Sequence, residues 1–136
     1  MLRVSPDGGE VWVQTAATDT NVVLDTEGLG VLATEPTGRG PITNAWTPDG
    51  RYSFVTNSND AFVSVFDANT WREVKRVEVG LGGSNVAFSG NGSTAFVALA
   101  RDNVIAVVDV ASLDLVTRIP TGSQPMGLII LNQEDQ

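Results

Sequence analysis

The stretch "TPDGRYSFVTNSNDAFVSVFD", Thr47–Asp67, places tight-turn residues beside two short runs of strand-forming residues. Pro48 fixes its own φ and Gly50 tolerates a positive φ, so "TPDG" is typical of a β-turn. Tyr52–Asn57 and Ala61–Phe66 are rich in aromatic and β-branched residues, which favour β-strands. The stretch therefore predicts a turn followed by two strands with a second turn between them.

Similar stretches recur three times at a constant spacing of 42 residues. Two sets of residues mark the period: Gly8, Gly50 and Gly92 in the first turn, and Asp25, Asp67 and Asp109 at the start of the third turn. A fixed period without insertions is the sequence mark of a repeat architecture. We therefore predict a single domain over residues 1–136 that contains three 42-residue repeats, about 2–43, 44–85 and 86–127.

Each repeat is predicted to contain four short strands. In the middle repeat these are Asn44–Trp46, Tyr52–Asn57, Ala61–Phe66 and Arg72–Val79, with no helical periodicity. Ala61–Phe66 and the equivalent Val104–Val110 are almost continuously apolar, which indicates strands covered on both faces. Stacked four-stranded sheets provide such cover, so the sequence predicts an all-β fold, a β-propeller with three four-stranded blades. Three four-stranded repeats are also compatible with a monomeric β-trefoil or a three-sheet β-prism.

Three blades do not close a propeller ring, since natural rings have roughly four to eight. An open arc would expose the apolar faces of its two terminal blades, and exposed faces of this kind indicate association. We therefore expect a homodimer in which two chains complete a six-bladed ring, blade one of each chain meeting blade three of the other. Met126–Leu131 aligns with the first strand of a further blade. Either it replaces the partner's N-terminal strand, or the chain is a fragment of a longer propeller.

The repeats resemble the YVTN family of β-propeller repeat proteins. The resemblance rests on six motifs: "VSPDG" (Val4–Gly8), "FVTNSND" (Phe54–Asp60), "VSVFD" (Val63–Asp67), "IAVVD" (Ile105–Asp109), "VEVG" (Val77–Gly80) and "IPTGSQP" (Ile119–Pro125). It covers about residues 2–131, although "SGNG" (Ser89–Gly92) replaces "SPDG" in the third repeat. The resemblance implies a β-propeller. Proteins of that family usually have more blades than this chain and are often exported.

The composition excludes several kinds of function. The sequence contains no histidine and no cysteine, which removes the commonest general base, the commonest metal ligand and every thiolate site. The net charge of −8 disfavours nucleic acid and anionic membranes as partners. Neither a signal peptide nor a membrane span is visible, and no compartment is predicted. We expect no enzyme activity, no metal and no cofactor.

The recurring polar residues have a structural explanation. Asp25, Asp67 and Asp109 begin turns, where a carboxylate accepts backbone amide hydrogens, and Asp7 and Asp49 belong to "PDG" turns. The segment "GLGGSN", Gly80–Asn85, lacks the lysine and helix of a phosphate loop and is predicted to cross between blades. These residues are therefore expected to be structural.

A binding site is expected at the mouth of the channel, where the crossings between blades meet the turns between second and third strands. Arg39, Asn85 and Gln124 lie in or beside these crossings and are the candidate contacts to a small molecule or peptide. Trp12 and Trp46 are predicted to be core residues, whereas Trp71 is expected to be exposed. The sequence thus favours a non-catalytic scaffold or binding protein, with a carbohydrate-binding, lectin-like module as the alternative.

Overall fold

The computed structural model describes residues 1–130, which form three four-stranded antiparallel sheets and no helix. The strands are β1 (Leu2–Val4), β2 (Glu10–Thr15), β3 (Thr20–Asp25), β4 (Val31–Pro36), β5 (Pro41–Trp46), β6 (Tyr52–Asn57), β7 (Phe62–Asp67), β8 (Glu73–Glu78), β9 (Gly83–Phe88), β10 (Thr94–Leu99), β11 (Val104–Asp109) and β12 (Asp114–Pro120). Over this part of the chain, the structure has no helix that could cross a membrane.

Each sheet is a meander of four consecutive strands, as predicted: β1–β4, β5–β8 and β9–β12. We call them blades one, two and three. The predicted repeat boundaries lie a few residues late, because β5 begins at Pro41 rather than Asn44 and β9 begins at Gly83 rather than 86. Gly40 and Gly82, both at positive φ, end the crossings just before these strands. The β5–β6 pairing is irregular between Pro41 and Asn44, so pattern matching finds only the regular second half of β5.

The three blades pack face to face, and the middle blade is covered on both faces. In β6, all residues from Ser53 to Asn57 are buried, and in β7, all residues from Val63 to Phe66. This confirms the prediction of doubly buried strands for blade two. The equivalent strands β2 and β11 instead alternate between buried and half-buried residues, because each terminal blade has only one neighbour.

Two clusters of side chains fill the junctions between blades. Phe54 is the centre of the junction between blades two and three, and its ring meets that of Phe88 edge-on at 5.1 Å. Trp12 is fully buried between blades one and two, 5.5 Å from Trp46 and 6.0 Å from Phe66. Edge-to-face aromatic pairs contribute beyond their buried area. Trp12 is therefore a core residue, as predicted.

The recurring turn residues have their predicted roles. Gly8, Gly50 and Gly92 adopt φ of +79°, +73° and +73°, and each amide closes its turn at 2.8–2.9 Å. The third turn keeps this geometry without proline, since Asn91 accepts the same amide and hydroxyl hydrogens that Asp49 accepts. The aspartates cap the third turns: Asp25 accepts the amides of Glu27 and Gly28, Asp67 those of Asn69 and Thr70, and Asp109 that of Ser112.

The C-terminal segment differs from the prediction. Residues 121–130 pair with no strand among the described residues, so the predicted first strand Met126–Leu131 is not formed over 126–130. Its last residue, Leu131, lies outside the described part of the chain. The segment has no blade of its own with which to pair, which is the physical reason for the difference.

Candidate functional site

The crossings between blades meet the turns between second and third strands, as expected. In the first crossing, the amides of Ser58 and Asn59 donate to the carbonyls of Gly40 and Arg39 at 2.8 and 3.1 Å. In the second crossing, the amide of Ala100 donates to the carbonyl of Gly82 at 2.8 Å. We call this end of the chain the crossing face.

Acidic side chains hold each crossing from the following blade. The Arg39 amide donates to Asp60 Oδ2 at 2.7 Å, and the Leu81 amide donates to Asp102 Oδ2 at 3.0 Å. The two residues of each pair are 21 positions apart, so the same hydrogen bond recurs at both crossings. Asp60 and Asp102 lie in the turns between second and third strands, at the face where the sequence analysis expected a binding site, but their role was not predicted. The repeated spacing to the crossing was the signal that could have shown it.

Arg39 is exposed but already paired. Its guanidinium lies 2.7 Å from Asp60 Oδ1, and its side chain is 71% exposed. The hydrogen bonds from Arg39 hold the pKa of Asp60 below its usual value, so this carboxylate is charged at neutral pH. An anion that approached Arg39 would therefore compete with a charged neighbour.

Asn85 and Gln124 differ in their relation to the crossings, since Gln124 follows β12 at the place in the repeat that Gly40 and Gly82 take in the two crossings. Asn85 lies within β9 rather than in the crossing, and its Oδ1 accepts the amide of Val86. Gln124 is exposed at φ +54°, and its backbone amide donates to Asn103 Oδ1 at 2.8 Å. Within residues 1–130, no hydrogen bond joins any two of Arg39, Asn85 and Gln124. Their grouping into one site therefore stays a prediction.

A groove of about 340 Å³ lies at the opposite end, between blades one and two. Its lining includes Trp46, Asn69 and three carboxylates, Asp7, Glu10 and Asp49. Hydroxyl and amide donors lower the pKa of Asp7 and Asp49, first those of Ser5 and Thr47. The groove is therefore negatively charged at neutral pH.

Glu10 joins the two blades at this groove. Its carboxylate accepts the indole N–H of Trp12 at 2.8 Å and that of Trp71 at 2.9 Å. Trp71 is therefore half-buried and bonded, which corrects the prediction that it is exposed. The sequence analysis missed this contact because Glu10 and Trp71 are 61 residues apart and occupy different places in the repeat. Among residues 1–130, no cluster of three or more acidic, histidine or cysteine side chains could hold a metal ion.

The solved structures that resemble this chain in fold are propeller proteins. They include the hydrazine synthase of Kuenenia stuttgartiensis, at 29% identity and a TM-score of 0.85 over 90% of this chain and 36% of that one. A putative 6-phosphogluconolactonase from Bacteroides fragilis matches at 21% identity and a TM-score of 0.78, over 91% of this chain and 39% of that one. Dihydro-heme d1 dehydrogenase NirN, in complex with DHE, matches at 24% identity and a TM-score of 0.75, over 83% and 24%.

The chain spans between about a quarter and two fifths of the length of these proteins. No curated protein matches its sequence. The family model described as the cytochrome D1 heme domain matches residues 38–128, which is 91 of the 136 residues. The match begins at the first crossing and includes blades two and three. The chain therefore belongs to the cytochrome D1 heme domain family, and its fold is a β-propeller.

Proposed function

We propose that the chain is a non-catalytic binding scaffold, built from YVTN-type blades, whose propeller ring is completed by a second copy. The observation that carries this proposal is the unequal burial of equivalent strands. Blade two is buried on both faces, whereas blades one and three each have one half-buried apolar face. Contiguous apolar faces that are only partly covered favour association. Two copies related by a two-fold axis would cover both faces at once.

The heme in the family's name does not fit the donor groups of this chain. Heme iron takes a protein ligand from histidine, methionine, cysteine or tyrosine. The first strands β1, β5 and β9 contain none of these residues, and the sequence has no histidine or cysteine at all. Both methionines, Met1 and Met126, are exposed and lie outside the strands. Tyr52 lies in the second strand β6 and packs against the cluster between blades two and three. The proposed function therefore does not include heme ligation.

The acidic side chains support a structural role rather than catalysis. Asp7, Asp49, Asp60 and Asp109 each accept hydrogen bonds from turn or crossing groups, and these bonds lower their pKa values. A general base is most effective when its pKa lies near the working pH. Carboxylates whose pKa is lowered further below neutral pH by turn hydrogen bonds serve proton transfer poorly, so we propose that the chain is not an enzyme.

The crossing face remains the proposed place for a small-molecule or peptide ligand. Arg39 and Gln124 are exposed there, while Asn85 is half-buried in the adjoining inner strand. A ligand carboxylate would exchange with Asp60 for the guanidinium of Arg39, as the two are equivalent acceptors. This site is tested by measuring the affinity of an acidic peptide for the wild-type protein and for the Arg39→Gln variant. Tighter binding by the wild type than by the variant supports the site, whereas equal binding removes Arg39 from it.

The mass of the purified chain in solution tests whether the scaffold is a homodimer. A homodimer has twice 14.3 kDa, or 28.6 kDa, by light scattering. A mass of 28.6 kDa that persists on dilution into the micromolar range supports the proposal. A mass of 14.3 kDa at high concentration overturns it. The free faces would then belong against further blades of a longer polypeptide.

The groove between blades one and two supports a second candidate, carbohydrate binding. An indole ring beside hydroxyl, amide and carboxylate groups matches the alternating apolar and polar surfaces of a sugar. A glycan array probed with the wild type and with Asn69→Ala tests it, and Asn59→Ala at the crossing face is the matched control. Binding lost only in Asn69→Ala supports the candidate, and a folded protein that binds no glycan removes it.

A further inference from the structure

The two faces of each blade can be told apart by the second strand. We define the A face as the side that carries Trp12, Phe54 or Phe96, and the B face as the side that carries Val13, Val55 or Val97. Adjacent residues of a strand point to opposite faces, so the register assigns every paired residue to one face. This gives one A face and one B face for each of the three blades.

Both junctions within the chain join an A face to the B face of the next blade. Trp12 of blade one packs with Val55 and Phe66 of blade two. Phe54 of blade two packs in one cluster with Val97 of blade three. The faces left over are the B face of blade one and the A face of blade three. They are the two kinds of face that every junction requires.

The leftover faces are apolar and only partly covered. The B face of blade one carries Leu2 and Val4, which are 59% and 54% exposed, and the half-buried Val13 and Val22. The A face of blade three carries the half-buried Phe96, Ile105 and Val107 and the exposed Ile119. By the same register, the paired residues on the B face of blade one include no charged residue, whereas the A face of blade three also carries Asn85 and, at the end of β11, the turn-capping Asp109.

An aromatic ring at one repeated position marks each junction. Trp12 meets Trp46 at 5.5 Å, and Phe54 meets Phe88 at 5.1 Å, both edge-on. Trp46 and Phe88 are 42 residues apart, and the residue 42 positions before Trp46 is Val4. The third ring of the series, Phe96, forms no such aromatic pair among residues 1–130, where the equivalent position belongs to the half-buried Ile130. On the leftover B face, Val4 has the same place in the repeat as Trp46 and Phe88.

Buried amides separate the first junction from the others. Blades one and two face each other with four amide side chains, which form three hydrogen bonds: Gln14 to Asn21, Asn44 to Ser53 and Asn57 to Ser64, at 3.0–3.1 Å. The equivalent residues on the leftover faces are Ala98 and Ile105 of blade three and Leu2 and Thr15 of blade one. Each of the three hydrogen bonds lies within a single blade, and one polar atom of each amide is buried at the junction without a partner. The first junction is therefore polar, whereas the faces left over for the partner carry no amide at the equivalent positions.

We infer that the second copy docks head to tail, the A face of blade three against the B face of blade one, with Phe96 packed on Val4 of the partner at both junctions. This inference rests on the homodimer proposed above and identifies the surfaces that join its two copies. A dimer joined by two B faces or by two A faces would leave the other pair uncovered. The head-to-tail arrangement covers all four faces.

Single-face variants test the arrangement. Val13→Glu alters only the B face of blade one and Phe96→Glu only the A face of blade three, while Val74→Glu is a control on an exposed strand residue of blade two. Circular dichroism and thermal unfolding establish that each variant is folded. We expect both face variants to be monomeric and the control to be dimeric, because a buried carboxylate disrupts each junction.

Mixing the two face variants gives the decisive result. One junction of the mixed dimer pairs two wild-type faces, so we expect a 1:1 complex by native mass spectrometry, although each variant alone is a monomer. If the wild type is dimeric but only one variant is monomeric, or the mixture forms no complex, the head-to-tail inference is wrong and the assembly stands. A monomeric wild type overturns the assembly itself.

A gain-of-affinity variant gives an independent readout. Val4→Phe supplies the ring found at the equivalent positions Trp46 and Phe88. An edge-on aromatic pair contributes about 0.5–1.5 kcal/mol, so two junctions are expected to tighten the dimer roughly tenfold. Leu2→Phe, on the same face but away from the Phe96 series, is the matched control. Equal tightening by both variants contradicts the proposed contact.

Discussion

Three side chains adopt a left-handed backbone conformation at one position of the repeat. Leu29, Trp71 and Leu113 have φ of +56°, +61° and +57°. Each follows a capping aspartate by four residues, and the Leu29 and Trp71 amides donate to the carbonyls of Asp25 and Asp67. Left-handed conformations are normally adopted by glycine or asparagine, so the residue types gave no signal of this turn. Only the fixed period allows one instance to predict the others.

Leu29→Gly is expected to stabilise the chain. The side chain is 82% exposed, so little buried area is lost, and glycine relieves the unfavourable φ. We expect the free energy of unfolding in urea to rise by about 0.5–1 kcal/mol. Val31→Gly is the control, since it removes an exposed strand residue without relieving strain and should lower stability. Destabilisation by both variants would show that the turn is not strained.

Trp71→Phe is expected to destabilise the junction between blades one and two. Phenylalanine keeps most of the ring but removes the N–H that donates to Glu10. A hydrogen bond to a charged group contributes about 1.5–3 kcal/mol, and partial exposure reduces this to about 1 kcal/mol. Leu113→Phe, at the equivalent place in blade three, is the control. Unchanged unfolding of Trp71→Phe by urea denaturation would contradict the role of the contact.

At the level of elements, the strands and turns were largely predictable. The residues predicted for the second strand of blade two, Tyr52–Asn57, match β6 completely. The turn glycines and capping aspartates were also found, because local backbone geometry dictates these residue types. The starts of β5 and β9 were missed, since an irregular pairing removes the period-two pattern there. The hydrogen bonds that Asp60 and Asp102 accept from the crossings join separate blades, so no local sequence pattern predicts them.

The turn aspartates predict how stability depends on pH. The pKa of Asp7, Asp49, Asp60 and Asp109 is lowered in the folded chain, so the unfolded chain binds protons more readily. Their contribution is fully present above about pH 4 and is lost as the pH falls through the folded pKa values. We expect the urea midpoint to fall as the pH drops below about 4, the pKa of an aspartate in the unfolded chain.

Asp49→Asn is the matched variant for this pH dependence. Asn91 shows that an amide oxygen can accept the same hydrogen bonds in the third repeat, so the variant should fold. Its urea midpoint is expected to fall less on acidification than that of the wild type, because one titrating group is removed. An equal or larger fall would mean that Asp49 does not contribute to the acid response.

For the whole molecule, charge opposes the association that the apolar faces favour. Each copy has a net charge of −8, so the dimer has twice that, −16. Salt screens such repulsion over about 8 Å at physiological ionic strength and about 30 Å at 0.01 M. We therefore expect dimer affinity, measured by sedimentation, to rise severalfold from about 10 mM to about 150 mM NaCl. A fall in affinity would indicate that ion pairs, rather than apolar faces, join the copies.

The propeller itself was predictable from the period and from the doubly apolar strands, whereas the candidate site was not. Arg39, Asn85 and Gln124 were chosen by their place in the topology. The structure pairs the first with Asp60 and places the second within β9. A site of this kind depends on which side chains contact each other across blades. The repeat period predicts only some of these contacts. The leftover faces, in contrast, follow directly from the alternation of side chains along each strand.

Crosslinking between the two leftover faces tests the central claim most directly. The chain has no cysteine, so Val4→Cys with Phe96→Cys introduces the only thiols. The two positions lie on the outward faces of the two terminal blades, so within one chain the arc separates them. We expect a short bifunctional thiol reagent to yield a covalent dimer from the double variant and none from either single variant. Absence of the covalent dimer, or an equal yield from Phe96→Cys alone, would contradict the claim that these two faces meet in a closed ring.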